Sequence, residues 1–198
     1  MKKLILLCSL VTILLSCDVA KQVANSALAF SQCQYEYTSI SGLTLAGVNL
    51  QNVNSISSLN PLAAAGLLTA VTQKTLPLQF TLNLNVKNPN THTASLSGLQ
   101  YILEIDDIQM TQGSLNRSIQ VPGNGTAILP INMAFDLRSI LSGKSADAVK
   151  NLAFNFTGLG DAPSKVTIRL KPSMSIGGQT IASPVFIPVS FTYGKGYK

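Results

Sequence analysis

From Leu78 to Lys87 the side chains alternate without a break, with Leu78, Phe80, Leu82, Leu84 and Val86 set against Gln79, Thr81, Asn83, Asn85 and Lys87. Successive strand residues point to opposite faces, so a period of two dictates a strand with one buried and one wet face. A helix would repeat its apolar positions at three and four. The run ends on Asn88-Pro89-Asn90. Proline has no N–H for a ladder and asparagine side chains bond nearby backbone, so the strand stops there. Asn88, Pro89 and Asn90 are thereby singled out as a structural motif in which side chains satisfy the backbone where it leaves the sheet.

Further strands follow the same period. Leu99, Tyr101, Leu103 and Ile105 alternate, then Leu129, Ile131, Met133 and Phe135, then Val166, Ile168 and Leu170, and lastly Val185, Ile187, Val189, Phe191 and Tyr193. Gly113-Ser114, Pro122-Gly123-Asn124-Gly125, Pro163-Ser164 and Gly177-Gly178 read as the turns between them. Residues 34–53 read as one long or two shorter strands. Two stretches break the pattern. Residues 57–73 read as a helix, with Ser58 or Asn60 as cap and Pro61 in the first turn. Residues 136–153 read as a helical crossover broken at Gly143, with Asp136 and Ser145 as caps. About seven short strands with two helical inserts predict an all-β fold, an antiparallel β-sandwich rather than a βαβ array.

The amino terminus predicts an address. Lys2 and Lys3 precede an apolar stretch, Leu4 to Leu15, that is too short for a membrane span, and Ser16 precedes Cys17. This resembles a bacterial lipobox, in which the signal is cut just before the cysteine, the thiol is acylated and the new amino terminus is acylated too. The expected organisation is a signal peptide at 1–16, a lipid-anchored tether at 17–32, a domain at 33–193 and a tail at 194–198. Lipidation at Cys17 would moor the chain stably, since two or more acyl chains hold where one holds marginally. The expected location is the bacterial cell envelope, on the inner or the outer membrane, facing the periplasm or the surface. Asp18 resembles the inner-membrane retention signal of enteric bacteria.

Of three cysteines, Cys8 would leave with the signal and Cys17 would carry lipid, so Cys33 has no partner for an internal disulfide. The domain must then be held by its apolar core, which 46% hydrophobic and 11% charged residues can supply. Cys33 itself reads as a small buried hydrophobe. Without Lys2 and Lys3 the formal charge falls from +6 to +4. That is too weak and too scattered for a nucleic-acid footprint. The densest basic stretch, Lys144, Lys150, Lys165, Arg169 and Lys171, reads as a solvated surface.

The alternating strand into Asn88-Pro89-Asn90, the Tyr101 strand, Gly113, a loop and Ile128-Leu129-Pro130-Ile131 together resemble the late-embryogenesis-abundant group 2 (LEA-2) family, also called the water-stress-and-hypersensitive-response (WHy) domain. The resemblance covers roughly residues 33–193 and is best over 78–135. It implies an immunoglobulin- or fibronectin-III-like sandwich, no catalytic activity, and association with desiccation, cold or other stress. Relative to that compact pattern, the helix at 57–73 looks like an insertion.

Few residues could carry chemistry. His92 is the only histidine, and its loop position favours an exposed side chain over a ligand or base. Glu104, Asp106 and Asp107 form the one carboxylate cluster; in a strand Glu104 and Asp106 would share a face, and a solvated strand end outweighs acid/base catalysis or loosely bound calcium. Gly158-Leu159-Gly160 and Gly177-Gly178 lack the strand-to-helix context of a phosphate loop. No catalytic residue, metal or cofactor is expected, and the chain reads as no enzyme. The leading expectation is a membrane-anchored envelope lipoprotein that binds or shields other molecules under stress, with Asn83, Asn85 and Lys87 as a polar face for partners. The alternative is a carrier or envelope assembly factor holding a lipid or other apolar ligand between the sheets or beneath the 57–73 helix, whose Leu62, Leu67, Leu68 and Val71 would form an apolar face. A hydrolase on a sandwich scaffold ranks third.

Overall fold

The computed structural model describes residues 29–197 apart from 31, 145, 177 and 178. The signal segment, Cys17, most of the tether, the Ser145 cap and the Gly177-Gly178 turn lie outside the described residues. Seven strands of seven residues or more carry the fold: β1 (Gln34–Leu45), β3 (Pro77–Lys87), β5 (Gly98–Ile105), β6 (Ile108–Leu115), β8 (Thr126–Asp136), β9 (Ser164–Ile176) and β11 (Ile187–Tyr193). Four shorter ones join them: β2 (Val48–Asn49), β4 (Ala94–Leu96), β7 (Ile119–Val121) and β10 (Gln179–Ala182). The strands form one sheet in the order β2-β1-β3-β8, a second in the order β10-β9-β5-β6 with β11 also on β9, and a β4-β7 ribbon. All the pairings are antiparallel. The fold is all-β with helical inserts, as the periodicity predicts.

The uninterrupted alternation of Leu78–Lys87 has a structural counterpart. β3 is central in its sheet and pairs with β8 without a register shift from Pro77 opposite Asp136 to Lys87 opposite Thr126. Its five apolar side chains are buried against Leu103, Ile105, Val166, Ile168 and Leu170 of the facing sheet within one core. Its wet face is largely tied to its neighbours. Asn83 donates to the hydroxyls of Ser39 and Ser41 at 3.1 Å each, and Thr81 donates to Asn132 at 2.9 Å. Aromatic rings join the layers: Tyr37 stacks on Phe191 at 4.0 Å between centroids, and Phe156 lies 5.2 Å from Phe80 and 5.5 Å from Tyr193.

Three α-helices lie wholly within the described residues, α1 (Pro61–Ala70), α2 (Leu137–Ile140) and α3 (Ala146–Thr157). Asn60 caps α1, its side chain accepting from Ala63 N at 2.8 Å, and Pro61 opens the first turn. Asp136 accepts from both Arg138 N at 2.9 Å and Leu76 N at 2.7 Å, so one carboxylate starts α2 and pins the chain leading into β3. Arg138 reaches back to the Val71 and Gln73 carbonyls and closes the end of α1. α3 runs past the expected limit of 153 because Phe154 and Phe156 are buried, and Gly158, with φ of +80°, ends it.

Several expectations are corrected by packing. Gly113-Ser114 is not a turn. Both residues lie inside β6, opposite Tyr101 and Gln100, and a Cβ on Gly113 would come 2.6 Å from the Tyr101 hydroxyl. The glycine is there to admit a ring. The β5–β6 turn is instead Asp106-Asp107, with φ of +51° and +61° at the two positions, the left-handed pair that a two-residue hairpin requires. Val185 lies before β11 and is exposed. The four shortest strands, at two to four residues, are too brief to show a period. Leu62, Leu67, Leu68 and Val71 do not share one face: Leu67 and Val71, four apart, are buried, while Leu62 is 85% and Leu68 49% exposed. Ala29 and Phe30, in the stretch assigned to the tether, are buried in the core.

Candidate functional site

Asn88 is wholly buried and joins three segments. Its side-chain amide donates to His92 O at 2.9 Å and to Val121 O and Pro122 O at 3.1 Å each. Its side-chain oxygen accepts from Asn90 N and Asn90 Nδ2, both at 3.0 Å, while its own backbone N–H donates to Gly125 O at 2.9 Å. Pro89, which needs no N–H partner, lets the chain leave the ladder between them. Asn90 extends the network, donating to Ala29 O at 3.2 Å and accepting from Asn124 N at 2.8 Å. Asn88-Pro89-Asn90 therefore ties the end of β3 to the β7–β8 turn and to the first described residues. Both polar atoms of the Asn88 side chain are used in that tie, so neither is offered to a ligand.

The other candidate residues are drawn apart. Asp106 accepts from Ser164 Oγ at 3.0 Å and Lys165 N at 2.9 Å, Asp107 pairs with Lys165 at 2.9 Å, and Glu104 pairs with Arg169. Each of the three carboxylates is thus engaged by β9, Glu104 by Arg169 and both aspartates by Ser164 and Lys165 at its start. His92 is exposed, and only its backbone carbonyl is engaged. Among the described residues no three His, Cys, Asp or Glu side chains come together to hold a metal. Burial pushes the Cys33 thiol up to about 11, and its Sγ donates to Ala29 O at 3.4 Å. A thiol so poorly ionised is a packing group and a poor nucleophile. Of the basic residues, Lys150 pairs with Asp147 at 2.9 Å and Lys171 lies 5.5 Å from the Phe186 ring centroid.

What the fold does assemble is an apolar cleft. β9 is long enough to pair with β11 through its first half and with β10 through its second, Ile187 facing Leu170 and Ala182 facing Ser173. Residues 183–186 must bridge two strands that follow one another along the same edge. Ser183 holds this bridge, its N–H donating to Pro172 O at 2.7 Å and its hydroxyl to Val185 O at 2.9 Å. The tight turn pushes Val185 outward to 62% exposure, beside Ile181 at 54%. Behind this rim lies a cleft of about 370 Å³ walled by Phe30, Leu96, Met174 and Ile187, with the hydroxyls of Ser95, Ser173 and Ser183 at its edges and no charged side chain in its lining. Its volume lies at the lower end of the roughly 300–1,000 Å³ typical of small-molecule sites.

A second hollow of about 380 Å³ is lined by Gln100, Gln112 and Ser114 together with Tyr101, Ile102, Gly113 and the ring of Phe186, and is more polar than the first. Val185 and Ile187 thus line the apolar cleft and Phe186, between them, the more polar hollow. Lys171 lies over the Phe186 ring and has no ion-pair partner among the described residues.

Phe30, which forms a wall of the cleft, is also where the chain departs toward Cys17. Tyr35 donates to Phe30 O at 2.8 Å and Asn90 to Ala29 O, so this stretch is fastened to the sandwich rather than resting on it. Burial raises the Tyr35 phenol well above its usual range. α1 sits at the other end of β1, where the chain turns into β3. The carrier reading placed an apolar ligand between the sheets or beneath α1; the apolar cleft is at the sandwich end that holds Phe30. One local signal pointed there: Val185-Phe186-Ile187 is a run of three apolar residues that breaks strand alternation. Phe30 carried no such signal, because its partners lie far along the chain.

Residues 83–186, 104 of 198, match the family model described as late embryogenesis abundant protein. The match takes in the Asn88-Pro89-Asn90 motif and ends at Phe186, on the rim of the cleft; β1, α1 and β11 lie outside it. Among curated proteins none matches in sequence. The chain is similar to a crystal structure of a protein from Archaeoglobus fulgidus at 15% identity and a TM-score of 0.37, covering 62% of this chain and 88% of that one. It is similar to a protein of Arabidopsis thaliana solved in solution, at 9% identity and a TM-score of 0.43, covering 64% and 76%. It is also similar to the solution structure of a late embryogenesis abundant (LEA) protein at 11% identity and a TM-score of 0.40, covering 90% and 84%.

Proposed function

The chain belongs to the late embryogenesis abundant family, and from that premise we propose that it is a stress-associated, non-enzymatic lipoprotein of the bacterial envelope that works against the membrane to which Cys17 moors it. The observation that carries this reading is the position of the exposed apolar rim. Ile181 and Val185 stand beside Phe30, the residue through which the chain leaves toward Cys17. An apolar surface costs free energy in water and is relieved at a bilayer, so a rim at the moored end fits a domain that meets lipid. The polar face of β3 is less suited to recognition, because Asn83 is already bonded within the sheet.

The test has two parts. Metabolic labelling with a fatty-acid analogue should mark the wild-type chain and not Cys17→Ala. A deletion strain should lose survival under drying, osmotic or cold stress, and should be restored by the wild-type gene and not by the Cys17→Ala form. Labelling that persists without Cys17 refutes the anchor, and unaltered survival refutes the protective role. The cleft itself favours the second reading, a carrier for an apolar ligand, since an exposed rim alone would need no hollow behind it.

A further inference from the structure

We propose that the cleft behind the rim takes one acyl chain of a bilayer phospholipid, with the headgroup phosphate received at Lys171 and the polar hollow across Phe186. This rests on the membrane placement proposed above and adds to it a site, a ligand class and an orientation. Three observations converge. First, the lining of the cleft is apolar except for serine hydroxyls at its edges, so an unbranched hydrocarbon loses no hydrogen bond on entering, whereas a polar ligand would find no buried partner. Second, Val185 and Ile187 line the apolar cleft while Phe186 between them lines the other hollow, and Lys171, whose Nζ lies 5.5 Å from the Phe186 ring centroid, is a cation with no ion-pair partner among the described residues. A molecule with an apolar tail and an anionic head matches that sequence of surfaces in one pose. Third, the site is within reach of lipid. Eleven residues lie between Cys17 and Ala29, a span of at most about 40 Å when fully extended. Phe30 stands in the cleft wall, so the mooring brings the mouth near the bilayer. α1 offers exposed Leu62 and Leu68, but its residues line neither of the two hollows.

The full chain, purified from membranes, is reconstituted in vesicles of phosphatidylcholine and phosphatidylglycerol that contain a trace of phosphatidylglycerol with a photoactivatable group at the end of one acyl chain. After irradiation and digestion, adducts carrying the intact glycerophosphate mass are expected on peptides that hold Met174, Ile181 or Val185. Ala182→Trp, an exposed position at the cleft mouth, should cut their yield at least fivefold with the circular dichroism unchanged. Lys171→Glu should lower the yield from phosphatidylglycerol more than from a phosphatidylcholine probe. Leu62→Asp on α1 should leave the yield as in wild type. An undiminished yield in Ala182→Trp overturns the proposal, as do adducts confined to α1 and competition by free fatty acid but not by phospholipid. Adducts that carry the Cys17 acyl group in place of glycerophosphate overturn it too, since they assign the cleft to the chain's own anchor. Loss of survival in the deletion strain together with any of these leaves the membrane reading standing without the cleft, so the two can fail separately.

Discussion

Replacing Asn88 by alanine should be the most costly single polar substitution in the domain, and the cost can be worked from its partners. The side chain is fully buried; its amide serves the carbonyls of His92, Val121 and Pro122, and its oxygen accepts both Asn90 N–H groups. Two amide hydrogens and one doubly accepting oxygen make about four hydrogen bonds, each with a net contribution of roughly 0.5–1.5 kcal/mol. Alanine also strands the Val121 carbonyl in a buried place. The expected loss is about 3 kcal/mol, or some 6–12 °C in Tm for a chain of this size. Urea unfolding of the unacylated mature chain should show a lower midpoint with the slope unchanged. Asn88→Asp separates the hydrogen bonds from the space. It keeps the accepting oxygen but turns an oxygen toward three carbonyls, so the carboxylate is disfavoured in the fold and its pKa is raised above the unfolded value of about 3.9. The stability of Asn88→Asp relative to wild type should then be greatest below about pH 4 and decline as pH rises through the folded pKa, while Asn88→Ala runs parallel to wild type. An alanine variant within about 1 kcal/mol of wild type, or an aspartate variant without that pH trend, would refute the assignment of Asn88 as the tie between β3 and the β7–β8 turn.

Gly113→Ala should destabilise by about 1 kcal/mol, since the new Cβ displaces the Tyr101 ring end; a double-mutant cycle with Tyr101→Ala should recover most of it, and full additivity would deny the contact. Asp107→Gly should stabilise the fold by ~0.3 kcal/mol, read as a higher urea midpoint, because relief of the left-handed backbone at φ of +61° outweighs an exposed ion pair with Lys165. Native Cys33 should resist alkylation at pH 8 and react only as urea unfolds the chain, its folded pKa of about 11 leaving little thiolate; fast native labelling would contradict its burial. Burial also lifts Tyr193 to about 12. Both groups are raised in the fold, so the stability they contribute is fully present below pH 9, the unfolded cysteine value, and is lost as pH climbs through 11 and 12. Titration of the urea midpoint from pH 8 to 11.5 should show that decline.

The polar residues fall into two groups by how local their task is. Asn60, Asp136, Asn88 and the Pro122-Gly123-Asn124-Gly125 turn each make a cap or turn bond written in nearby positions, and Asp136 and Asn88 add bonds to Leu76, Val121 and Pro122 that no local pattern shows. Glu104, Asp106 and Asp107 looked like one cluster because they are neighbours in the chain. In the fold Glu104 meets Arg169 and both aspartates meet the start of β9 at Ser164 and Lys165, about sixty residues away, which no local pattern shows.

By itself the sequence determined the strand that organises the fold, since a period of two carried through Leu78–Lys87 admits one backbone and one buried face, and Asn88-Pro89-Asn90 admits one ending. Among the described residues Cys33 is a buried free cysteine, so the apolar core and not a disulfide holds them together. The tertiary structure alone decided which apolar residues would be left outside. Leu67 and Leu68 are equally apolar and adjacent, yet one is wholly buried and the other half exposed, because the core lies on one side of α1. It alone brought Phe30 to Met174 and Ile187, set Ile181 and Val185 on the rim, and put Lys171 over the ring of Phe186. Periodicity is a property of consecutive residues and can be read along the chain, whereas a cleft is made where strands far apart in sequence stop covering one another.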